Sequence, residues 1–304
     1  MSIIFMGTPD FAVASLAALI NAKEKIVAVV TAPDKPAGRG QKLHESAVKK
    51  YAKTHNLPIL QPVNLKDPQF LETLRSFEAD LQVVVAFRML PESVWNMPKL
   101  GTINLHGSLL PQYRGAAPIN HAIINGETET GVSTFLLEHE IDTGKILFSE
   151  KVSILPDDTA EQLHDKLMVT GAQLLVKTVK AIKDGTAKGY AQPNDVELKS
   201  APKIHKDDCK IDWNKPVNEV YNFIRGLSPY PTAFTSLRNK NLKIFSARPE
   251  KGDVNETPGT PSSDGKTYLK FACKDGYIHV TDLQIQDKKR MNVEDFLRGF
   301  RLDS

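Results

Sequence analysis

A chain of 304 residues that is 41% hydrophobic and 25% charged holds enough apolar material for one large or two ordinary folded domains. Neither a basic segment leading into an apolar core nor a run of roughly 18 to 20 apolar residues occurs, so a secreted or membrane-spanning protein is not expected and the cytoplasm is the expected compartment. Cys209 and Cys273 are too few for a disulfide framework, none of the eight histidines has a partner at zinc-like spacing, and a net charge of +3 does not by itself demand a polyanion.

In chain order, residues 2–6 read as a short apolar strand, and Gly7-Thr8-Pro9-Asp10 as a turn into an amphipathic helix over 11–22, with Asp10 or Thr8 available as its cap. Strand and helix then alternate: strands over 25–31 and 58–60, helices over 46–55 and 67–77, and at 81–86 a continuous Val-rich run of the kind buried on both faces of a parallel sheet. Such alternation predicts a doubly wound α/β domain, which binds ligands at the carboxyl ends of its strands. A dinucleotide is not the expected ligand. Gly7 is one glycine where the phosphate-binding fingerprint needs three, and Pro9 lacks an amide that a phosphate would use.

The stretch 32–53 carries six cations, Lys35, Arg39, Lys42, Lys49, Lys50 and Lys53, against Asp34 and Glu45. Such a run is either a solvated face or a surface for an acidic partner. Glycine on both sides of Arg39 makes the cluster poorly suited to structural ion pairs and suited to taking its shape on that partner.

Residues 102–118 hold the densest chemistry. Strand alternation over 102–106 sends Asn104 and His106 to one face and Ile103 and Leu105 to the other. The two polar groups either satisfy nearby carbonyls or hold an oxygen that becomes negative during attack on a carbonyl. Gly107 and Pro111 break the chain, and the run 115–118 opens a helix. A carboxylate that could act as base lies between two strand-like runs, 131–137 and 145–152, in Asp142-Thr143-Gly144, which is equally readable as a hairpin turn. No second Asp-Thr-Gly exists, so an aspartic-protease dyad is excluded.

A long helix is predicted over 159–183, and the pattern dissolves into Gly, Pro, Asn, Asp and Lys over 184–206, which reads as a linker. Beyond it a helix at 218–225 and short strands at 233–237, 242–247, 268–272 and 277–283 predict a small β-barrel, with 253–265 as a mobile loop. The cationic excess lies here: Lys plus Arg and Asp plus Glu number 22 and 22 up to residue 204, and 17 and 14 after it.

Asn104-x-His106, Ser108-Leu109-Leu110-Pro111, Arg114-Gly115-Ala116-Ala117-Pro118, Asp142-Thr143-Gly144, the 5–11 and 33–40 segments and Ile211-Asp212-Trp213 together resemble the folate-dependent formyltransferases, and among them the branch whose acceptor is methionyl-tRNA. The resemblance covers nearly the whole chain. It implies a Rossmann-like catalytic domain (1–189), a linker (190–206) and an oligonucleotide-binding-like domain (207–304). It also implies transfer of a formyl group from 10-formyltetrahydrofolate to the amine of initiator methionyl-tRNA for translation initiation of the bacterial type, by a monomer using no metal. Asn104, His106 and Asp142 are then catalytic. Ser108, Leu109, Leu110, Pro111, Phe87, Arg88, Met89, Leu90 and Ile141 line the folate, and Arg39, Lys35 and Lys42 meet the tRNA. One departure is that relatives carry Tyr-Gly and a longer loop where this chain has Phe87-Arg88-Met89-Leu90-Pro91, which reshapes the folate-side wall. Glycinamide ribonucleotide and sugar-nucleotide formyltransferases share the trio. The first lacks a comparable second domain, and from the second the 36–40 loop and Ile211-Asp212-Trp213 are the distinguishing features.

Overall fold

The computed structural model describes residues 1–37, 42–193 and 197–302. The chain forms two compact units, each assembled from separate stretches: residues 1–114, 131–152 and 164–200 make the first, and 115–130, 153–163 and 201–304 the second. No helix among the described residues is long and apolar enough to cross a membrane.

Elements follow in the order β1 (Ser2–Gly7), α1 (Asp10–Asn21), β2 (Lys25–Val30), β3 (Lys35–Ala37), β4 (Lys42–His44), α2 (Ala47–Thr54), β5 (Ile59–Leu60), α3 (Pro68–Ser76), β6 (Leu81–Val85), α4 (Glu92–Trp95), β7 (Thr102–His106), β8 (Arg114–Gly115), α5 (Pro118–Ile124), β9 (Glu129–Leu136), β10 (Ile146–Ser153), α6 (Ala160–Lys183) and β11 (Ser200–Ala201). In the first unit the sheet order is β10-β9-β7-β6-β1-β2-β5. Strands β5, β2, β1, β6 and β7 run parallel, and β9 runs antiparallel to β7. The order reverses between β1 and β6, so the crevice of a doubly wound sheet opens at their carboxyl ends. Every residue of β6 is buried, which is why its sequence is unbroken apolar and Gln rather than alternating.

Helix starts follow local chemistry, with one correction. Ser46 caps α2 by accepting from Lys49 N at 3.0 Å, and Asp67 caps α3 by accepting from Gln69 N at 2.8 Å. Helix α1 has no side-chain cap. Pro9 stands at its N-cap and its carbonyl takes the Ala12 and Val13 amides, so Asp10 lies inside the first turn, where a carboxylate favours the helix dipole.

The basic stretch is a hairpin, β3 on β4, pairing Lys35 with His44. The expectation that its cations avoid structural ion pairs needs correcting at its foot. Lys49 Nζ lies 2.5 Å from Asp34 and 3.3 Å from Glu45, Lys53 also pairs with Glu45, and Gln61 donates to Asp34 at 2.8 Å. These contacts, Lys49 foremost, hold the Asp34 carboxyl below its ordinary value. Lys35 is exposed, whereas Arg39 and the Lys42 side chain lie outside the described residues.

The second unit continues with α7 (Val217–Gly226), β12 (Ala233–Leu237), β13 (Lys240–Lys251), β14 (Pro261–Ser263), β15 (Leu269–Cys273), β16 (Gly276–Ile285), β17 (Met291–Asn292) and α8 (Val293–Arg298). Its antiparallel sheet runs β12-β13-β16-β15-β14, with β17 beside β16. It is a curled half-barrel, since among the described residues no ladder joins β12 to β14 to close it. The bend has a local cause: the β13 register slips on both sides of Ser246, and such irregularities raise strand twist. The segment expected to be a mobile loop contains β14, paired with β15. Ile211 and Trp213 are core, with Asp212 exposed between them: Trp213 stacks on Phe271 at 4.7 Å and donates Nε1–H to Thr235 at 3.0 Å.

Candidate active site

β7 delivers its polar face to the carboxyl edge of the sheet. Asn104 sits opposite Val84 on one neighbour and Phe135 on the other, and His106 opposite Ser133. His106 is 6% exposed, and its Nε2 donates to the carbonyl of Tyr113 at 2.8 Å. A carbonyl only accepts, so Nε2 carries the ring proton and Nδ1 is the nitrogen left to react. Nδ1 faces Asp142 Oδ2 at 3.8 Å, beyond direct hydrogen-bond range. The Asn104 side chain, half-buried, makes no hydrogen bond among the described residues, so its amide is open to a ligand.

Asp142 owes its place to the connection between β9 and β10. Its φ is +55°, a left-handed conformation that Asp tolerates better than most residues. Gly144 is required two residues later, because a Cβ there would stand 1.7 Å from the Leu136 carbonyl oxygen. Asp142-Thr143-Gly144 is therefore both the hairpin turn and the holder of the carboxylate facing His106. Sequence reasoning missed what fixes the turn from behind. Gln192 donates Nε2 to the carbonyls of Asp142 at 2.8 Å and Gly144 at 2.9 Å, while its Oε1 accepts from Arg114 Nε at 3.1 Å and Nη2 at 2.6 Å. It missed Ser133 as well, whose hydroxyl donates to Ser108 O at 2.8 Å and accepts from Leu110 N at 3.1 Å, pinning the 108–111 loop. A strand serine and a glutamine in a polar run carry no periodic signal.

Two of the segments expected to line a folate border apolar clusters that share Leu137 as a neighbour. Leu137, Phe87 and Leu90 all pack against the cluster that includes Ile4, Met6, Val84 and Val94, and Leu137 packs also against the Leu110, Phe135 and Ile146 cluster. Ser108, Leu110 and Pro111 are buried, Leu109 is half-buried, and the Ser108 hydroxyl donates to Gln112 O at 2.6 Å. Met89 and Ile141 are open, at 73% and 57% exposure. Arg88 donates to Val63 O at 2.9 Å and to Pro62 O, and its guanidinium lies over Phe87. Beside it lies a hollow of about 610 Å³ whose walls include Val63, Lys66, Met89, Leu90 and Glu92, in the size range of small-molecule sites. His139, in the Asp142 turn, packs edge-on to Trp95 at 5.3 Å and lies 3.6 Å from Glu92. No group of three His, Cys, Asp or Glu among the described residues is arranged to hold a metal ion.

Residues 1–179 match the family described as formyl transferase, and residues 203–301 match its C-terminal domain. The chain is 54% identical over 311 residues to the methionyl-tRNA formyltransferase of Bacteroides thetaiotaomicron, covering 99% of this chain and 96% of that protein. To the protein of the same name from Porphyromonas gingivalis it is 49% identical over 315 residues, covering 100% and 97%. Among solved structures, WlaRD, a sugar 3N-formyl transferase crystallised in the presence of dTDP and 5-N-formyl-THF, is similar with a TM-score of 0.67 at 22% identity, covering 95% of this chain and 99% of that one. The methionyl-tRNA formyltransferase from Clostridium thermocellum follows at 0.60 and 16%, covering 95% and 100%. HypX from Aquifex aeolicus in complex with tetrahydrofolic acid scores 0.67 at 16%, covering 98% of this chain and 47% of its own, so this chain spans about half of HypX. At these identities the structural likeness speaks for the fold alone.

Proposed function

The chain belongs to the formyl transferase family, in its methionyl-tRNA formyltransferase branch, and from that premise we propose that it moves a formyl group from 10-formyltetrahydrofolate to the α-amine of initiator methionyl-tRNA. The observation that carries the reading is the face-off of His106 Nδ1 and Asp142 Oδ2 at 3.8 Å beside the open amide of Asn104.

The chemistry is acyl transfer with no oxidation or reduction. The amine nitrogen bonds to the formyl carbon, that carbon's bond to N10 of the folate breaks, one proton leaves the amine and one reaches N10. Asn104 donates to the formyl oxygen as it gains charge, and His106, once its Nδ1 lone pair has taken up a proton beside Asp142, donates that proton's hydrogen bond to the same developing charge. Asp142 takes the amine proton directly or through a water. The Tyr113 carbonyl keeps the ring oriented so that Nδ1 is the working nitrogen.

The same reading assigns the folate to the walls made by Phe87, Arg88, Met89 and Leu90, by Ser108, Leu109, Leu110 and Pro111, and by Ile141. It assigns tRNA phosphates to Arg39, Lys35, Lys42 and the half-barrel. It divides the chain into a catalytic domain (1–189), a linker (190–206) and a tRNA-binding domain (207–304), a division supported by family matches that end at 179 and resume at 203. It makes the protein a cytoplasmic monomer, the second of which sedimentation tests. The deciding experiment is a formyl-transfer assay with charged initiator tRNA, uncharged tRNA and a sugar-nucleotide amine. Formylation of the first alone is expected, and formylation of the sugar amine alone would replace the reading with a small-molecule formyltransferase.

A further inference from the structure

We infer that Gln192 is a positioning residue for Asp142, and that Arg114 fixes Gln192 in the one orientation that does so. The inference rests on the reading of Asp142 as the group that receives the amine proton.

Gln192 is 6% exposed, and a primary amide has two N–H donors and two acceptor lone pairs. All four are used: both N–H groups go to carbonyls of the catalytic turn, Asp142 O and Gly144 O, and the oxygen takes two N–H groups of the Arg114 guanidinium. The amide cannot flip without setting its oxygen against two carbonyl oxygens and its NH₂ against a guanidinium, so the arrangement has one orientation. This matters because Asp142 sits at φ +55°, where only its surroundings keep the backbone, and its carboxylate must face His106 Nδ1 rather than solvent. The strap carrying Gln192 is anchored in turn: Tyr190 and Ile146 exchange backbone hydrogen bonds at 2.9 and 3.0 Å, at the first residue of β10.

The dipeptide Tyr113-Arg114 thereby serves both reacting groups. The carbonyl of Tyr113 orients the His106 ring, and the side chain of Arg114, through Gln192, orients the Asp142 turn. A stretch that reads as a linker by composition thus supplies part of the support of the site.

The test uses the full chain with Gln192→Glu, Gln192→Met, Asp142→Asn and the double variant Asp142→Asn/Gln192→Glu, each assayed for kcat and for KM toward methionyl-tRNA and toward the formyl donor, with thermal melting as the fold control. Glu keeps the acceptors for Arg114 but sets oxygen against the two carbonyls, and Met keeps the volume while removing every hydrogen bond. Gln192→Glu is expected to lower kcat by about 10- to 100-fold with both KM values within about twofold, because an ångström of misplacement at a reacting group is worth that much. In the Asp142→Asn background the same change is expected to lower single-turnover rates no further. Wild-type kcat in both Gln192 variants overturns the inference while leaving the site reading intact, and losses that multiply in the double variant overturn it in favour of an independent structural role. Near-normal kcat in Asp142→Asn overturns the site reading and this inference with it. If Gln192→Glu does not fold, Gln192→Met decides by the same kcat criterion.

Discussion

The Tyr113 carbonyl takes the Nε2 proton of His106 at 2.8 Å, and this hydrogen bond selects the nitrogen that can work. Neutral His106 carries its proton on the Tyr113 side, so a lone pair at Nδ1 and a carboxylate oxygen of Asp142 face each other across 3.8 Å. Two acceptors at that spacing favour a proton, a water or a substrate N–H between them. A reacting amine has both N–H groups and a lone pair to offer, and so fits the gap.

Asn104→Ala, His106→Ala and Asp142→Asn are each expected to lower turnover by about 10²- to 10³-fold, the usual loss when one preorganised electrostatic partner is removed. Folding and most folate affinity should persist, because none of the three belongs to the apolar clusters. Steady-state kinetics with saturating substrates, set beside folate titration, checks this. Turnover near that of the unmodified protein in any one variant removes that residue from the proposed machinery.

The convergence on Leu137 leads to a second expectation. Because Leu137 packs against the same cluster as Phe87 and Leu90 and also against the Leu110 cluster, a folate seated there should protect amides in residues 87–90, 108–111 and 138–142 together. Hydrogen exchange with and without a reduced folate measures it. Protection confined to the second unit would send the folate elsewhere.

Alternation made Asn104 and His106 legible, since a strand period of two leaves no choice about which residues share a face. Asp142 was legible because Asp and Gly flanked by strand-like runs mark a turn. Burial of a continuous Val-rich run marked β6 as central. What was not legible acts without periodic signal: the Tyr113 interaction uses a backbone carbonyl, identical in every residue, and Gln192 stands in a stretch whose Gly, Pro and Asn content resembles a spacer. The open edge of the half-barrel was hidden for another reason. Whether a curled sheet closes depends on pairing between distant strands, here absent between β12 and β14 among the described residues, and strand content alone does not encode it.

Asp80 provides a pH-dependent expectation away from the site. Its carboxylate accepts from Ser2 N at 2.8 Å and Ser2 Oγ at 3.1 Å and pairs with Lys99 at 3.0 Å, joining the start of β1 to the approach to β6. The Ser2 amide first, then Lys99, lowers its pKa from 3.8 to about 2. A carboxyl lowered in the folded state stabilises above its unfolded value and loses that contribution as pH falls through the folded one. Asp80→Asn should therefore melt below the unmodified protein at neutral pH, with the gap closing between about pH 4 and pH 2. A gap independent of pH over that interval would show that the charge is not the source.

The basic hairpin separates cations with different duties, and the last prediction turns on that difference. Lys49 is committed to Asp34 and Glu45, so Lys49→Met should lower the melting temperature and leave tRNA binding little changed. Arg39 is proposed to meet the acceptor end of the tRNA, so Arg39→Ala should weaken tRNA use without altering folate affinity. For every phosphate that a substitution leaves unneutralised, the slope of log affinity against log salt should shrink by about 0.7 to 0.9. The half-barrel is best tested in the full chain, because residues 115–130 and 153–163 pack with 201–304 and a cut at 204 would dismantle that unit. Lys243 and Arg248 are exposed on β13, and Lys243→Ala with Arg248→Ala should flatten the salt slope as Arg39→Ala does. Measured by filter binding from low to moderate salt, a slope unchanged by Arg39→Ala and by Lys243→Ala with Arg248→Ala would return the hairpin to a solvated face and make a small-molecule acceptor the better reading.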